Sequence, residues 1–324
     1  MAAKECSFDN QSGEVKLILE DPTAHGNIDG GHTLRAILMA KAKNTLSDDR
    51  YVFFEIFTGI DDSTIELAAA RNTSVQVDLK SIAELEKSFD SIKSVLKNLT
   101  FASRVQYKMN EHYQSDEVAE VIDVREVISI VAMFSQEMYP LKTNEGILSE
   151  TQPIQCYSGK EATLKKFLKM GFTDDAQSKL KREEMIDKMA PIIPDIFKLW
   201  ERIEISFQEK AQSAGKRYGT RKYSKYDDNK IIGKSFFEEN ELRYAVPKGL
   251  MYPLAGSFRA LVQVDQNTGF YYWKKDPIEV WEAIGAKLAA MILDEKAETP
   301  DALAKNSNLW SNLFKEIYIL GYMI

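Results

Sequence analysis

Two adjacent glycines, Gly30 and Gly31, constrain this chain more than any other local feature, because one kind of periodicity stops at them and another starts. Upstream, Glu14-Val15-Lys16-Leu17-Ile18-Leu19 is apolar and β-branched, Asp21-Pro22 marks a turn, and His25 to Asp29 is a second short segment leading into the glycines. Downstream, Leu34-Arg35-Ala36-Ile37-Leu38-Met39-Ala40-Lys41 consists of strong helix formers, with Thr33 suited to the N-cap. The pattern predicts strand, turn, strand, a glycine turn and then a helix. Glycine lets the backbone come close to a ligand, and the first amides of a helix lack intrahelical partners, so the geometry suits an anion. A tight turn in which glycine only relieves strain is the plainer alternative.

The side chains around the turn add chemistry. Two of the three histidines, His25 and His32, flank it, and Asp29 stands between them. Gly30, Gly31, Thr33 and Arg35 are the candidate phosphate-binding residues. His32 and Asp29 are the catalytic candidates if the site cleaves a phosphodiester. His32 would then be the acid or base, since its ordinary pKa is near neutral, and Asp29 would orient it or place a divalent ion such as magnesium or manganese. His25, Asp29 and His32 together are a zinc or manganese set only if the turn brings all three to one side. No G-x-S-x-G elbow, P-loop or G-x-G-x-x-G fingerprint occurs, which argues against standard hydrolase, Walker-type and dinucleotide-binding classes.

Along the first half, strands and helices alternate. Tyr51-Val52-Phe53-Phe54-Glu55-Ile56-Phe57 reads as a strand covered on both faces, central in a sheet. Ser63 to Arg71 reads as a short helix. Ile82, Leu85, Phe89, Ile92 and Leu96 recur at helical spacing and predict one amphipathic helix over Lys80 to Lys97. Arg104 to Lys108 suits a strand, and Asp123 is placed to cap a helix over Val127 to Phe134.

The second half is mostly helical. Leu180 to Gln208 predicts two tandem helices separated at Pro191 and Pro194. Arg259 to Val264 and Phe270 to Trp273 form a hairpin candidate, and Asp276-Pro277 and Thr299-Pro300 open two C-terminal helices. The expected division is an α/β core over 1–150 and a helical domain over 151–324, with a soft boundary near Leu148 to Gln155. Within the second domain, residues 210–230 interleave Lys210, Lys216, Arg217, Arg221, Lys222, Lys225 and Lys230 with Tyr218, Tyr223 and Tyr226. Lys216, Arg217, Arg221 and Lys222 suit phosphates, and Tyr218 and Tyr223 suit stacking on unpaired bases; a solvated loop is the alternative. Arg71, Asn72, Arg104, Arg125 and Arg259 are further polar candidates, each equally able to serve in a salt bridge.

Composition bounds the function. Hydrophobic residues are 44% of 324 and charged residues 28%, ordinary values for a chain that buries a full core. The net charge of −7 confines any polyanion site to a local patch. Two cysteines, Cys6 and Cys156, suggest neither a disulfide framework nor a zinc cluster and point to a reducing compartment. No apolar run reaches the roughly 20 residues of a membrane span, and no secretory signal is evident, so a cytoplasmic location is expected.

The segment Asn27-Ile28-Asp29-Gly30-Gly31-His32-Thr33-Leu34-Arg35-Ala36-Ile37 resembles the signature of the AIPR family, the abortive-infection phage-resistance proteins. Ala68-Ala69-Ala70-Arg71-Asn72-Thr73-Ser74 with Val77-Asp78-Leu79 is similar to a second family stretch, and Val121 to Glu126 to a third. Tyr244-Ala245-Val246-Pro247-Lys248-Gly249-Leu250-Met251-Tyr252-Pro253, with Ser257-Phe258-Arg259-Ala260, resembles a fourth. At greater distance the glycine turn is similar to DGQHR and ParB/sulfiredoxin-type motifs, which hold nucleotide phosphate or contact DNA. Thr33 stands where those motifs have arginine, and Arg35 lies two residues on. The resemblance implies a mixed α+β fold with a ParB/DGQHR-like N-terminal core and a phage-defence role. DNA, RNA or a nucleotide is then the expected partner. A non-catalytic module sensing a phage or host protein is the alternative.

Overall fold

The computed structural model describes residues 1–22, 24–27, 30–47, 49–60, 79–109, 120–142, 148, 151–221, 223–227 and 229–323, with only the backbone of His32, Tyr226, Tyr322 and Met323. The chain divides into two units, Met1–Asp78 and Leu79–Ile324. The division therefore falls well before the expected boundary near Leu148 to Gln155.

In the first unit, β1 (Glu5–Phe8) and β2 (Val15–Ile18) pair antiparallel, with Cys6 opposite Leu17. Their turn is held by Asp9, whose carboxylate accepts from the Gln11 amide at 2.8 Å and the Ser12 hydroxyl at 2.8 Å, and by left-handed Gly13. The partner of β2 is thus the N-terminal strand; of the His25 to Asp29 segment, Gly26 makes only an isolated bridge to Ala2. Helix α1 (Gly31–Ala42) starts from Gly30, at φ +88°. That left-handed residue turns the chain directly into the helix, so Thr33 lies inside the first turn instead of capping it.

Tyr51 to Phe57 is not a central strand. Phe57 alone bridges Ala2, and Tyr51 and Phe53 are 92% and 91% exposed. Strand propensity measures fit to a pleated, half-buried surface, and the described pairing of this segment is confined to its end, where the Met1 amino group donates to the Glu55 carbonyl at 2.7 Å and the Phe57 amide to the Met1 carbonyl at 2.9 Å.

The second unit begins with α2 (Leu79–Leu85) and α3 (Asp90–Leu96), where the spacing predicts one helix. Lys87 is left-handed at φ +56°, the Ser88 amide bonds back to Ala83 at 2.8 Å and the Lys87 amide to Glu84 at 3.0 Å. This Schellman closure ends α2 and lets both halves bury their apolar faces at different angles. A short parallel pair follows, β3 (Val105–Gln106) with β4 (Ile122–Asp123), leading into α4 (Val124–Ala132). Asp123 caps α4 as expected, accepting from the Arg125 amide at 2.8 Å.

Next come α5 (Gln155–Ser158), α6 (Lys160–Lys169), α7 (Asp175–Met189) and α8 (Ile193–Ser213), the last two separated at Pro191 as the prolines require. Helix α4 packs on α6, so elements from both sides of residue 150 share one core. Two small antiparallel pairs follow: β5 (Lys225–Tyr226) with β8 (Tyr244–Ala245), and β6 (Gly233–Lys234) with β7 (Glu241–Leu242). Helix α9 (Lys248–Ser257) then precedes the expected hairpin, β9 (Val262–Val264) with β10 (Tyr271–Trp273). Its turn is set by Asp265, which accepts from the Asn267 and Thr268 amides, and by left-handed Gly269.

The chain closes with α10 (Pro277–Asp294), α11 (Pro300–Ala304) and α12 (Ser307–Met323). Asp276 and Thr299 cap α10 and α11, each with proline in the first turn. The fold is mixed α+β with a helical C-terminal half, and among the described residues every sheet has two strands.

Helix α8 is the spine of this unit. Ile196, Trp200, Ile203, Phe207 and Ala211 fall on one stripe and are buried, with Phe197 and Phe237 packed on Phe101. Trp281 of α10 and Trp310 of α12 are also buried, and their indole nitrogens donate to Ser206 and to the Ala304 carbonyl, each at 2.8 Å. Gly256 lets α9 approach α12: a Cβ there would lie 2.6 Å from the Trp310 ring and 2.8 Å from the Met133 sulfur. Gly256→Ala is therefore expected to destabilise by about 1–3 kcal/mol, despite alanine's better helix propensity. Urea denaturation tests this; an unchanged midpoint would mean that Trp310 moves aside freely.

Candidate functional site

The start of α1 opens on a cavity of about 720 Å³ within the first unit. Val15 and Leu17 of β2, Leu34 and Ile37 of α1, and Phe53 and Phe54 make it mainly apolar, while Gly30 and Thr33 bring the helix start to its wall. Among the described residues, no side chain caps α1 and none in its first turn is acidic. The first-turn amides and the positive helix end make this a place that suits an anion. Gly31, Thr33 and Arg35 are exposed, and a Cβ on Gly31 would meet nothing within 4 Å. The cavity falls in the usual size range of small-ligand sites, about 300–1,000 Å³.

The other turn residues fare differently. His25 points its Nδ1 at the backbone, accepting from the Glu20 amide at 3.1 Å and the Asp21 amide at 3.0 Å. That nitrogen is spent on the turn and is withdrawn from metal ligation. Asp29 and the His32 side chain lie outside what is described, as do Arg71, Asn72 and the Ser63 to Arg71 helix.

The basic segment 210–230 is fastened down at three of its cations. Lys210 pairs with Glu282 at 2.7 Å, Lys216 with Asp294 at 2.5 Å, and Arg221 donates to the Leu293 carbonyl. The last two contacts sit at the C-terminal end of α10, where the helix favours positive charge. Tyr218 is 2% exposed, edge-on to Phe207, with its hydroxyl donating to the Ala245 carbonyl at 2.5 Å. It is a core residue that cannot stack on a base. Tyr223 is half-buried, Arg217 is exposed, and Lys222 is outside the described residues.

Three of the scattered arginines are engaged by the fold. Arg125 pairs with Asp123 at 2.7 Å and Glu161 at 3.3 Å. Arg104 donates to the carbonyls of Glu120, Phe236 and Phe237. Arg259 is 1% exposed, donates to the Tyr139 carbonyl and faces the Phe314 ring. Burial lowers its pKa to about 10 and raises that of the neighbouring Cys156 thiol to about 12, so this cysteine is an inert core residue.

One buried cluster escaped the sequence reading. Glu126, in the first turn of α4, accepts from the Tyr252 hydroxyl at 2.8 Å and from Lys160, and forms an ion pair with Lys248 at 3.1 Å. Lys160 and Lys248 are the first residues of α6 and α9, so three helix starts meet at one carboxylate. Asp123 and Glu126 have capping-box spacing, which disguised a residue that binds other helices instead of its own N-terminus.

Two stretches that carry the resemblance, Val121 to Glu126 and Tyr244 to Pro253, thus meet through Glu126, Lys248 and Tyr252. The family described as AIPR protein matches residues 1–308. The chain belongs to the AIPR family. Membership implies a role in abortive infection, the defence against phage. No curated protein and no solved structure matches the chain. Among the described residues, no helix of this AIPR protein is long and apolar enough to cross a membrane.

Proposed function

We propose that this AIPR protein acts in phage defence by binding a nucleotide or nucleic-acid phosphate at the start of α1. The observation that carries the reading is the apolar cavity of about 720 Å³ with the start of α1 on its wall. A base or sugar fits against Phe53, Phe54 and Leu34, while the phosphate meets the amides that follow Gly30, with Arg35 close in sequence. The cavity favours a free nucleotide or a displaced single-stranded base over duplex. If the site also cleaves, His32 is the acid or base, with Asp29 orienting it or holding magnesium or manganese.

Thr33→Asp tests this cleanly. A carboxylate in the first turn favours the helix itself but repels an anion bound there. Binding of a short single-stranded oligonucleotide should weaken by about tenfold or more, while the melting temperature does not fall. His32→Ala, assayed with magnesium and with manganese, separates cleavage from binding. Unchanged binding in Thr33→Asp, or no binding by the wild type, would sink the reading.

A second reading, a non-catalytic module that senses a phage or host protein, is favoured by Tyr51, Phe53 and Phe54, exposed by 92%, 91% and 62%. It expects phage protection to survive Thr33→Asp and to be lost on replacing these three aromatics with serine.

A further inference from the structure

The second unit holds a separate cavity of about 460 Å³, bounded by α2, the turn after it, the C-terminal half of α6 and the first turns of α7. Arg182 of α7 lines it and is only 4% exposed. Its Nη1 donates to the Leu168 carbonyl at 2.7 Å and its Nη2 to the Ser88 hydroxyl at 3.2 Å, while its buried Nε has no partner. Among the described residues no carboxylate pairs with it, though the negative charges of Glu183 and Glu86 act on it. A buried guanidinium without an ion pair is costly to hold, and an arriving anion would relieve that cost.

The cavity lining extends the argument. Lys165, Lys169 and Lys179 join Arg182, against the carboxylates of Glu86 and Asp175. Asp175 is engaged by Lys169 at 2.6 Å, and among the described residues Lys179 has only a loose partner outside the lining, Glu183 at 3.9 Å. Lys165 is exposed and has no carboxylate partner among the described residues. Four cations facing two carboxylates match a dianion, the charge that a phosphate monoester approaches near neutral pH. Leu79, Ile82 and Leu168 give the same space apolar walls, which a bare ion would leave unused.

We propose that this cavity binds a small organic phosphate, with its phosphoryl group at Arg182, Lys165 and Lys169 and its body against Leu79, Ile82 and Leu168. The site uses no residue of the glycine turn and stands whether or not that turn binds phosphate.

Isothermal titration of the full chain with AMP, ribose 5-phosphate, adenosine and inorganic phosphate tests the proposal. At least one of the two phosphate esters should bind, and Lys165→Glu and Arg182→Lys should each weaken it by about tenfold or more. Run on Thr33→Asp protein, whose glycine turn is expected to repel an anion, the same titrations read this site alone, and ester binding there should persist. Lys165 is on the exposed rim, so Lys165→Glu remains informative if Arg182→Lys fails to fold. Adenosine binding as tightly as AMP, or inorganic phosphate as tightly as either ester, would overturn the proposal. So would the absence of binding by both esters, or full affinity in folded Lys165→Glu protein.

Discussion

Glu126→Ala should destabilise the protein by about 3–5 kcal/mol, because it removes the acceptor on which two lysines and a buried tyrosine converge. The residue is 4% exposed and its partners come from α6 and α9, so the loss is felt at a junction of three helices rather than at one surface. Lys160 and Lys248 are about one-third exposed and regain some hydration, which places the expected value toward the lower end. Tyr252 has no such escape, being fully buried. Glu126→Gln, which keeps an oxygen for Tyr252, should cost less. The effect also has a pH signature. Burial pushes the Glu126 carboxyl up, but Lys248, Lys160 and the Tyr252 hydrogen bond more than offset this, leaving it below its usual value. Its contribution is therefore present above the unfolded carboxylate pKa and lost as pH falls through the lower, folded one. Chemical denaturation at pH 7 checks the magnitude; a cost under about 1 kcal/mol would show that the cluster is solvated and does not tie the helices together.

Much of the architecture was legible in the sequence because local chemistry decides it. Asp276-Pro277 and Thr299-Pro300 opened helices as written, and Asp123 capped α4, since a short polar side chain and a fixed φ act within one turn. The split at Pro191 and the hairpin ending at Trp273 were equally local. Readings failed where a distant partner decides. Tyr51 to Phe57 has every strand preference, yet its described pairing is confined to Glu55 and Phe57 against Met1 to Ala3, and the apolar spacing over Lys80 to Lys97 does not reveal that Lys87 turns left-handed. The glycine turn was readable as a backbone device, with Gly30 at φ +88°, but its apolar cavity was not, because β2, α1 and residues 52–56 meet only on folding. What fastens three cations of the basic segment was hidden for the converse reason: the partners Glu282, Leu293 and Asp294 lie over 70 residues away. Arg182 was invisible, one cation among several on an exposed-looking helix, until Leu168 and Ser88 were seen to enclose it.

Raising the pH from 4.5 to 8 should weaken the wild-type fold through Glu204 by up to about 3 kcal/mol, and Glu204→Gln should remove that dependence. Glu204 sits one turn after Glu201 on α8, and both hold the segment 235–240. Glu201 accepts from the Ser235 hydroxyl and the Asn240 side chain, each at 2.6 Å, and from the Glu238 amide at 3.3 Å. The Glu204 carboxylate has one such donor, the Phe236 amide at 3.0 Å. Burial raises its pKa to about 7; the Phe236 amide and Lys248 of α9 oppose the rise, while the charges of Glu201 and Glu120 add to it. The folded pKa exceeds the unfolded one, so the native state binds the extra proton between them. Stability is then full below about 4.5, falls as pH rises and levels off above 7. Moving a carboxyl from 4.5 to about 7 corresponds to about 3 kcal/mol, and at 7% exposure solvent screening takes little from it. Glutamine keeps an oxygen for the Phe236 amide and carries no charge to desolvate, so the variant should be the more stable protein at pH 8 and nearly equal at pH 4.5. Denaturation midpoints for both proteins across that range decide it. Parallel curves would place Glu204 in a solvated site, and a variant weaker at every pH would mean that the ionised carboxylate is the form the fold holds.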